Sequence, residues 1–150
     1  MFAEGFNLEN QDLKVNGVVG DFVIMPESGV RSLKGSVAVD SVGYKEYTIE
    51  KIYSDVRIME GRIIFDRASA HAYQGRIKAG GSYQFFPEER IEAAMDFKGI
   101  DTNTMDAVNH KWKGVVEGKA LYTGTFKRID SLTLEFRSPS SEMERTVLKY

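Results

Sequence analysis

The side chains that could carry out metal or acid–base chemistry are scattered along this chain of 150 residues. It has two histidines, His71 and His110, and neither belongs to an HxH or HExxH motif that would bring several ligands to one zinc ion. Asp66 lies near His71 in the sequence, but the residues between them fit a connection between strands. We therefore interpret both histidines as surface or hairpin residues, and we expect no metal and no other cofactor.

Nucleophilic and carboxylate catalysis are equally poorly supported by the sequence. No GxSxG motif occurs, and Gly80-Gly81-Ser82 lies inside a predicted strand, where glycine lets a sheet curve or lets another group approach. Two carboxylate pairs, Glu88 with Glu89 and Asp55 with Glu60, fall on turns or polar faces, where solvation is their ordinary role. We predict no catalytic residue, and therefore a protein that is not an enzyme.

Composition excludes further classes of site and partner. The chain has 20 basic and 22 acidic residues, and the two signs are interspersed, so we expect no nucleic-acid partner. It has no cysteine, which excludes disulfides, thiolate metal ligands and cysteine nucleophiles. Residues 75–81 are rich in glycine, but they lack the lysine pattern of a phosphate loop and no helix follows them. The longest apolar runs, such as Ile63-Ile64-Phe65, fall far short of the ~20 residues that a membrane helix needs.

One pattern does stand out: residues 53–97 alternate between apolar and polar side chains, with glycine at short intervals. Successive side chains of a strand point to opposite faces of a sheet, so this alternation predicts antiparallel strands with one apolar and one charged or polar face. The predicted apolar row comprises Val56, Ile58, Ile63, Phe65, Ala68, Ala70, Ile77, Ala79, Tyr83, Phe85, Ile91, Ala93, Met95 and Phe97.

The flanking segments supply the other elements. Glu60-Gly61 and Gln74-Gly75 predict tight hairpin turns, and a capping residue at Asp101 or Thr102 predicts one short helix over 101–108. Residues 44–52 fit a strand better than a helix, and glycines at 17 and 20 predict a bend or bulge. We expect a polar, frayed segment over 1–12, one β domain over 13–136, and a C-terminal tail over 137–150 that is a candidate for disorder.

The fold class predicted is all-β with minor α: a curled antiparallel sheet that forms an apolar groove or a partly open sandwich. A helix of about two turns is too short to shield such a face. Three arrangements remain: a closed core that makes a structural or assembly module, a closed barrel with one small hydrophobic ligand, or a groove whose apolar floor holds a ligand.

The order of motifs resembles the AsmA/TamB-like family of envelope proteins. The resemblance covers residues 50–136 and rests on SDVRI, EGRI, ASA, AYQGRI and GSY between residues 54 and 83, then MDFKGIDTNTM over 95–105 and KGVVEGKALY over 113–122. Gln74 stands where the family's hairpin usually has a first glycine, and the family's N-terminal membrane anchor does not appear in this sequence.

The resemblance implies an elongated, curled sheet whose groove carries phospholipid or another acyl-chain ligand between membranes. It implies flanking repeats of a longer chain or envelope partner proteins, and a periplasmic or envelope location through an anchor outside this sequence, with the cytoplasm as the alternative. Outer-membrane homeostasis would be the role. The groove would be lined by Val56, Ile58, Ile63, Phe65, Ile77, Ala79, Tyr83, Phe85, Ile91, Ala93, Met95 and Phe97.

Overall fold

A computed structural model of the protein describes residues 2–9, 12–27, 30–105, 114–138 and 146–150. Ten strands account for most of these residues. The strands are β1 Phe2–Glu9, β2 Leu13–Glu27, β3 Val30–Tyr44, β4 Tyr47–Met59, β5 Arg62–Ala72, β6 Gly75–Gln84, β7 Arg90–Asp101, β8 Val115–Gly124, β9 Ile129–Arg137 and β10 Thr146–Lys149.

The strands form a single antiparallel sheet in which spatial order equals chain order, from β1 to β10. In the described part of the chain, β1 pairs with β2 alone and β10 with β9 alone, so the sheet is open, and it is curled. The all-β prediction is therefore confirmed. The closed barrel is wrong for this fold, because the first and last strands do not meet.

Bulges keep the apolar side chains on one face of these long strands. Gly17, Lys51, Arg67 and Gly99 all adopt left-handed φ angles, between 50° and 71°. At Lys51, Arg67 and Gly99 the cross-strand register also shifts. An extra residue inverts the alternation beyond it, so apolar residues on both sides of the bulge point the same way. The bend predicted near residues 17 and 20 is present at Gly17, within one continuous strand.

The helix and one of the hairpin turns expected from the sequence need correction. The helix expected over 101–108 is, in its described part, one turn of 3-10 helix, Thr102–Thr104, with the Asp101 carboxylate accepting a hydrogen bond from the Asn103 amide. Its last residues, 106–108, lie outside the described residues. The hairpin expected across Gln74-Gly75 turns one residue earlier, where Tyr73 and Gln74 both have positive φ. Such a two-residue turn matches the twist of the strands, although glycine or asparagine is its usual occupant.

The sheet also reaches further than expected at both ends of the chain. Residues 2–9, within the segment predicted to be frayed, form β1, and residues 146–149 of the predicted tail form β10. Strand β7 continues through Gly99, which forms a bulge within it. Residues 44–52 belong to strands and the turn between them, as their β-branched and aromatic content predicts.

Several glycines, Gly81 and Gly118 among them, permit an approach between strands that no other residue allows. A Cβ at Gly81 would overlap the carbonyl oxygen of Glu92 on β7, and one at Gly118 would overlap that of Glu135 on β9. Close backbone approach is a recognised reason for glycine inside a strand. Gly80, next to Gly81, has room, because the nearest atom to its Cβ would be the Phe65 carbonyl oxygen at 3.5 Å.

These neighbours give a matched test of the sheet geometry. We expect Gly81→Ala to lower the free energy of unfolding by at least about 2 kcal/mol, because backbone atoms must move. Gly80→Ala should be neutral or stabilising by about 0.5 kcal/mol, since alanine restricts the unfolded chain and fits the folded one. Urea denaturation followed by circular dichroism measures both, and equal stability of the two variants would contradict the close approach at Gly81.

Candidate functional site

The described strands share an apolar face that crosses eight of them. Register places residues from β2 to β9 in four side-by-side rows on this face. The first row is Phe22, Gly35, Val56, Phe65, Gly81, Ala93, Tyr122 and Leu132, and the second is Ile24, Leu33, Ile58, Ile63, Tyr83, Ile91, Gly124 and Ile129. The third row is Ala68, Ala79, Met95, Ala120 and Leu134, and the fourth is Ala70, Ile77, Phe97, Gly118 and Phe136.

Polar groups are almost absent from this apolar face. From β4 to β9, its regular positions hold one polar side chain besides tyrosines, Ser54, opposite Val37. The Ser54 hydroxyl donates to the Asp55 carbonyl oxygen at 3.0 Å, so the main chain satisfies it locally. The tyrosine hydroxyl of Tyr122 donates to the Thr125 carbonyl oxygen at the end of its strand. The face therefore offers no cluster of polar groups that could recognise a polar substrate.

Nothing in the described part of the chain covers the apolar face as a second layer would. The strands make their extensive contacts with sequential neighbours, and the 3-10 turn adds only a small contact with β8. Four apolar side chains among the described residues are buried: Val56, Ala70, Ala72 and Ile100. Phe65 and Met95 remain 38% and 36% exposed although both lie within the rows. A domain usually buries such a face between two layers, so this one is available for contact.

The apolar face is nevertheless the more sheltered of the two. Along β5 and β6, Ile63, Ile77 and Tyr83 on this face are half-buried, whereas Arg62 and Arg76 on the opposite face are exposed. Side chains of adjacent rows shield one another when a sheet curls toward them. At these positions the apolar face is therefore the more shielded of the two, although Phe65 near the β4–β5 hairpin is exposed.

Eleven of the twelve predicted groove residues lie in the four rows, and the alternation correctly placed them on one face. The exception is Phe85, which follows the last residue of β6 and whose ring centroid lies 6.2 Å from that of Tyr83. Their role in ligand binding stays a prediction. The eleven are Val56, Ile58, Ile63, Phe65, Ile77, Ala79, Tyr83, Ile91, Ala93, Met95 and Phe97.

Sequence reasoning missed the parts of the apolar face that come from strands before and after residues 53–97. Strands β2 and β3 add Phe22, Ile24 and Leu33, and β8 and β9 add Tyr122 and Leu132 to the same rows. Regular alternation within 33–39, 116–122 and 132–136 carried the signal for the outer strands. A bulge at Gly17 obscured it for β2, because alternation is lost at that residue.

Phenylalanine rings face glycines across neighbouring strands of the apolar face. Phe22 pairs with Gly35, Phe65 with Gly81, and both Phe97 and Phe136 with Gly118. A Cβ at Gly118 would lie 2.8 Å from the Phe97 ring, which shows how closely the ring covers the glycine. An aromatic ring over a cross-strand glycine restores packing that the missing side chain would have provided.

The opposite face is charged and largely self-neutralising. One row alternates in sign through Lys78, Asp96, Lys119 and Glu135, with Lys119 Nζ 3.7 Å from Asp96 Oδ1. Nearer the β4–β5 hairpin, Asp55 lies opposite Asp66, and each carboxylate has its own cation, Arg67 for Asp55 and Arg57 for Asp66. A pair of adjacent carboxylates held by two arginines is a solvated ion-pair cluster rather than an acid–base pair.

Two depressions open mainly on this charged face. The larger, of about 840 Å³, lies over β6 to β9 and is lined by residues of all four strands, among them Arg76, Lys98 and Glu117. The smaller, of about 620 Å³, surrounds the Asp55–Arg67 cluster. Both are open to solvent and lined mainly by charged side chains of both signs, whereas a small-molecule site is usually enclosed and mostly apolar.

The remaining candidates from the sequence do not converge either. His71 is exposed on the charged face opposite Arg76, and Glu88 and Glu89 are exposed in the β6–β7 loop. His110 lies outside the described residues. Among the described residues no group of three or more histidine, aspartate or glutamate side chains is placed to hold a metal ion.

Comparison with protein-family models, curated proteins and solved structures finds no match to this chain. The likeness to the AsmA/TamB-like family therefore stays a prediction from its motifs. In the described part of the chain, no helix is both long enough and apolar enough to cross a membrane.

The sidedness of the sheet can be tested with one substitution on each face. Val56 is 4% exposed on the apolar face, and Leu121, on the charged side of β8, is 55% exposed. We expect Val56→Asp to cost about 3 kcal/mol of unfolding free energy, because an unpaired charge would be buried, and Leu121→Asp to cost less than about 0.5 kcal/mol. Thermal or urea unfolding measures both. Similar destabilisation by the two substitutions would contradict the assignment of the faces.

Proposed function

We propose that this protein is a non-catalytic lipid-binding module that holds acyl chains against its apolar face and contributes to lipid transport in a bacterial envelope. One observation carries the proposal: four rows of apolar side chains lie on one face of an open sheet, two of them crossing eight strands, with no covering layer among the described residues. An exposed apolar surface of this extent is typical of a binding surface rather than of a solvated one.

The dimensions of the face suit a phospholipid tail. Neighbouring strands lie ~4.8 Å apart, so a row that crosses eight strands is about 34 Å long along its contour. That length is close to the ~30 Å hydrocarbon core of a bilayer, which holds two acyl chains end to end. Each CH₂ group buried on the face contributes about 0.8 kcal/mol, so affinity scales with chain length and needs no polar recognition.

The envelope location rests on the resemblance of motifs over residues 50–136 to the AsmA/TamB-like family. On this proposal the chain works in the periplasm as part of a longer bridge-like assembly, and it supports outer-membrane homeostasis by carrying phospholipid. The absence of a polar cluster on the apolar face fits a conduit for many lipids, because head groups would remain at the open margins.

A second candidate, a structural or assembly module, is favoured by the margins of the sheet. In the described residues β1 and β10 each pair on one side, so both edges present main-chain groups that another strand can join. Flanking repeats would extend the sheet in this way without any ligand. The two candidates differ in whether the apolar face takes up lipid, and the lipid proposal predicts that it does.

Aspartates placed on the apolar face, compared with aspartates at neighbouring positions on the charged face, test whether the apolar face binds lipid. We expect Phe65→Asp combined with Met95→Asp to weaken uptake of a fluorescent phospholipid by at least about tenfold, because two charges would face the acyl chain. Both side chains are more than a third exposed, so the sheet should still fold. Fluorescence titration measures the affinity and circular dichroism measures the fold.

The matched control places the same two charges on the other side of the same strands. Ile64 and Ala94 adjoin Phe65 and Met95 in sequence and lie on the charged face. Ile64→Asp combined with Ala94→Asp should leave lipid uptake within about twofold of the original chain, since it leaves the apolar face intact. Equal uptake by both double variants would refute the apolar face as the lipid site.

A further inference from the structure

A second exposed apolar surface lies where two neighbouring loops end the sheet. The β6–β7 loop carries Phe85 and Phe86, and the β8–β9 loop carries Phe126. Phe86 and Phe126 are 66% and 75% exposed, and Phe85 is about half exposed. We call these three residues the aromatic edge.

Hydrogen bonds hold the main chain of both loops while the rings point outward. The Phe85 and Phe86 amides donate to the Gly61 carbonyl oxygen, at 2.8 and 3.3 Å, which fastens the first loop to the β4–β5 hairpin. In the second loop the Thr125 amide donates to the Arg128 carbonyl oxygen at 2.8 Å, and the Arg128 amide donates to the Thr125 hydroxyl at 3.0 Å. The rings are thus presented by ordered backbone, which reduces the entropy lost on binding.

The two loops are also joined to each other and to the apolar face. The Phe126 amide donates to a Glu89 carboxylate oxygen at 3.4 Å. Ring centroids of Phe126 and Tyr83 lie 5.1 Å apart, edge to face, and Tyr83 belongs to the second row of the apolar face. The aromatic edge is therefore continuous with the surface proposed to hold acyl chains.

Charges around the aromatic edge are balanced. Residues 85–90 and 125–130 contain three acidic side chains, Glu88, Glu89 and Asp130, and three basic ones, Arg90, Lys127 and Arg128. Projecting aromatic rings flanked by charges of both signs suit the boundary between acyl chains and zwitterionic head groups, where aromatic side chains concentrate. A protein partner would instead need a pocket for each projecting ring.

We infer that the aromatic edge docks these strand ends of the sheet against a lipid bilayer, with Phe86 and Phe126 inserted at the head-group boundary. The apolar face then starts at the membrane surface, so an acyl chain can pass from the bilayer onto Tyr83 and its row. This inference rests on the proposed lipid-binding function and adds the membrane contact and the end of the sheet that makes it.

Flotation with phosphatidylcholine vesicles tests the docking of the full chain. We expect Phe86→Ser combined with Phe126→Ser to weaken vesicle binding by at least about tenfold, because two apolar rings are lost. Binding of the original chain should change little between about 0.1 and 1 M salt, since no net charge is involved. Phe86→Ser alone, which leaves the contact between Phe126 and Tyr83, should weaken binding by a smaller factor.

The opposite strand ends supply the control. Tyr44 and Tyr47, at the β3–β4 turn, are exposed aromatic residues of the same sheet. Tyr44→Ser combined with Tyr47→Ser should leave vesicle binding within about twofold of the original chain. Equal loss in both double variants, binding only to anionic vesicles, or no vesicle binding at all would overturn the inference, and the last result would point to a protein partner for the rings.

Labelling reports the orientation directly, because the chain has no cysteine. Lys127→Cys beside Phe126 and Lys45→Cys at the other end are both exposed positions for a fluorophore. Nitroxide-bearing lipids should quench the label at 127 and spare the label at 45, and the reverse pattern would overturn the inference. Lipid uptake from solution separates membrane docking from lipid binding. If the Phe86 and Phe126 variant loses vesicle binding but still takes up lipid from solution, only the docking is affected. If the original chain takes up no lipid from solution, the proposed lipid-binding function is wrong.

Discussion

The structure depends on one constraint. The two faces of the sheet differ sharply in polarity, and no second layer among the described residues packs against the apolar face. Hydrophobic burial stabilises most domains by enclosing apolar faces between two layers. Here four apolar side chains are buried among the described residues, and much of the apolar face is half-exposed. Its stability therefore relies on strand pairing and on side chains that shield one another across neighbouring strands.

Local features of the sequence serve that constraint. Left-handed residues at Gly17, Lys51, Arg67 and Gly99 restore the alternation within long strands, so that curling does not turn apolar side chains outward. Glycines such as Gly81 let neighbouring strands approach, and phenylalanines opposite them fill the space that remains. The charged face needs no partner of its own, because ion pairs such as Arg57 with Asp66 lie along it. Function, on this account, follows from one face alone.

Much of the central sheet could be predicted from the sequence, because period-two alternation and the glycine turn at Gly61 are local signals. The predictions failed where the deciding interaction was not local. Tyr73 and Gln74 take positive φ, which their residue types do not favour, because the twist of the strands selects that turn. Asp101 caps a single 3-10 turn instead of the first turn of a longer helix. Strand β1 has only a short alternation, in which Phe6 and Leu8 are separated by Asn7, and its pairing with β2 is the non-local contact that makes it a strand. The aromatic edge was missed because its residues come from separate loops.

The measurement that tests the central claim most directly is native mass spectrometry of the detergent-free protein, followed by organic extraction and identification of whatever is bound. The account predicts co-purifying phospholipid, at a ratio from below one to a few molecules per chain, released when the protein unfolds. A clean mass of the chain alone, together with no uptake of a hydrophobic dye, would contradict it and would favour a structural or assembly role for the sheet.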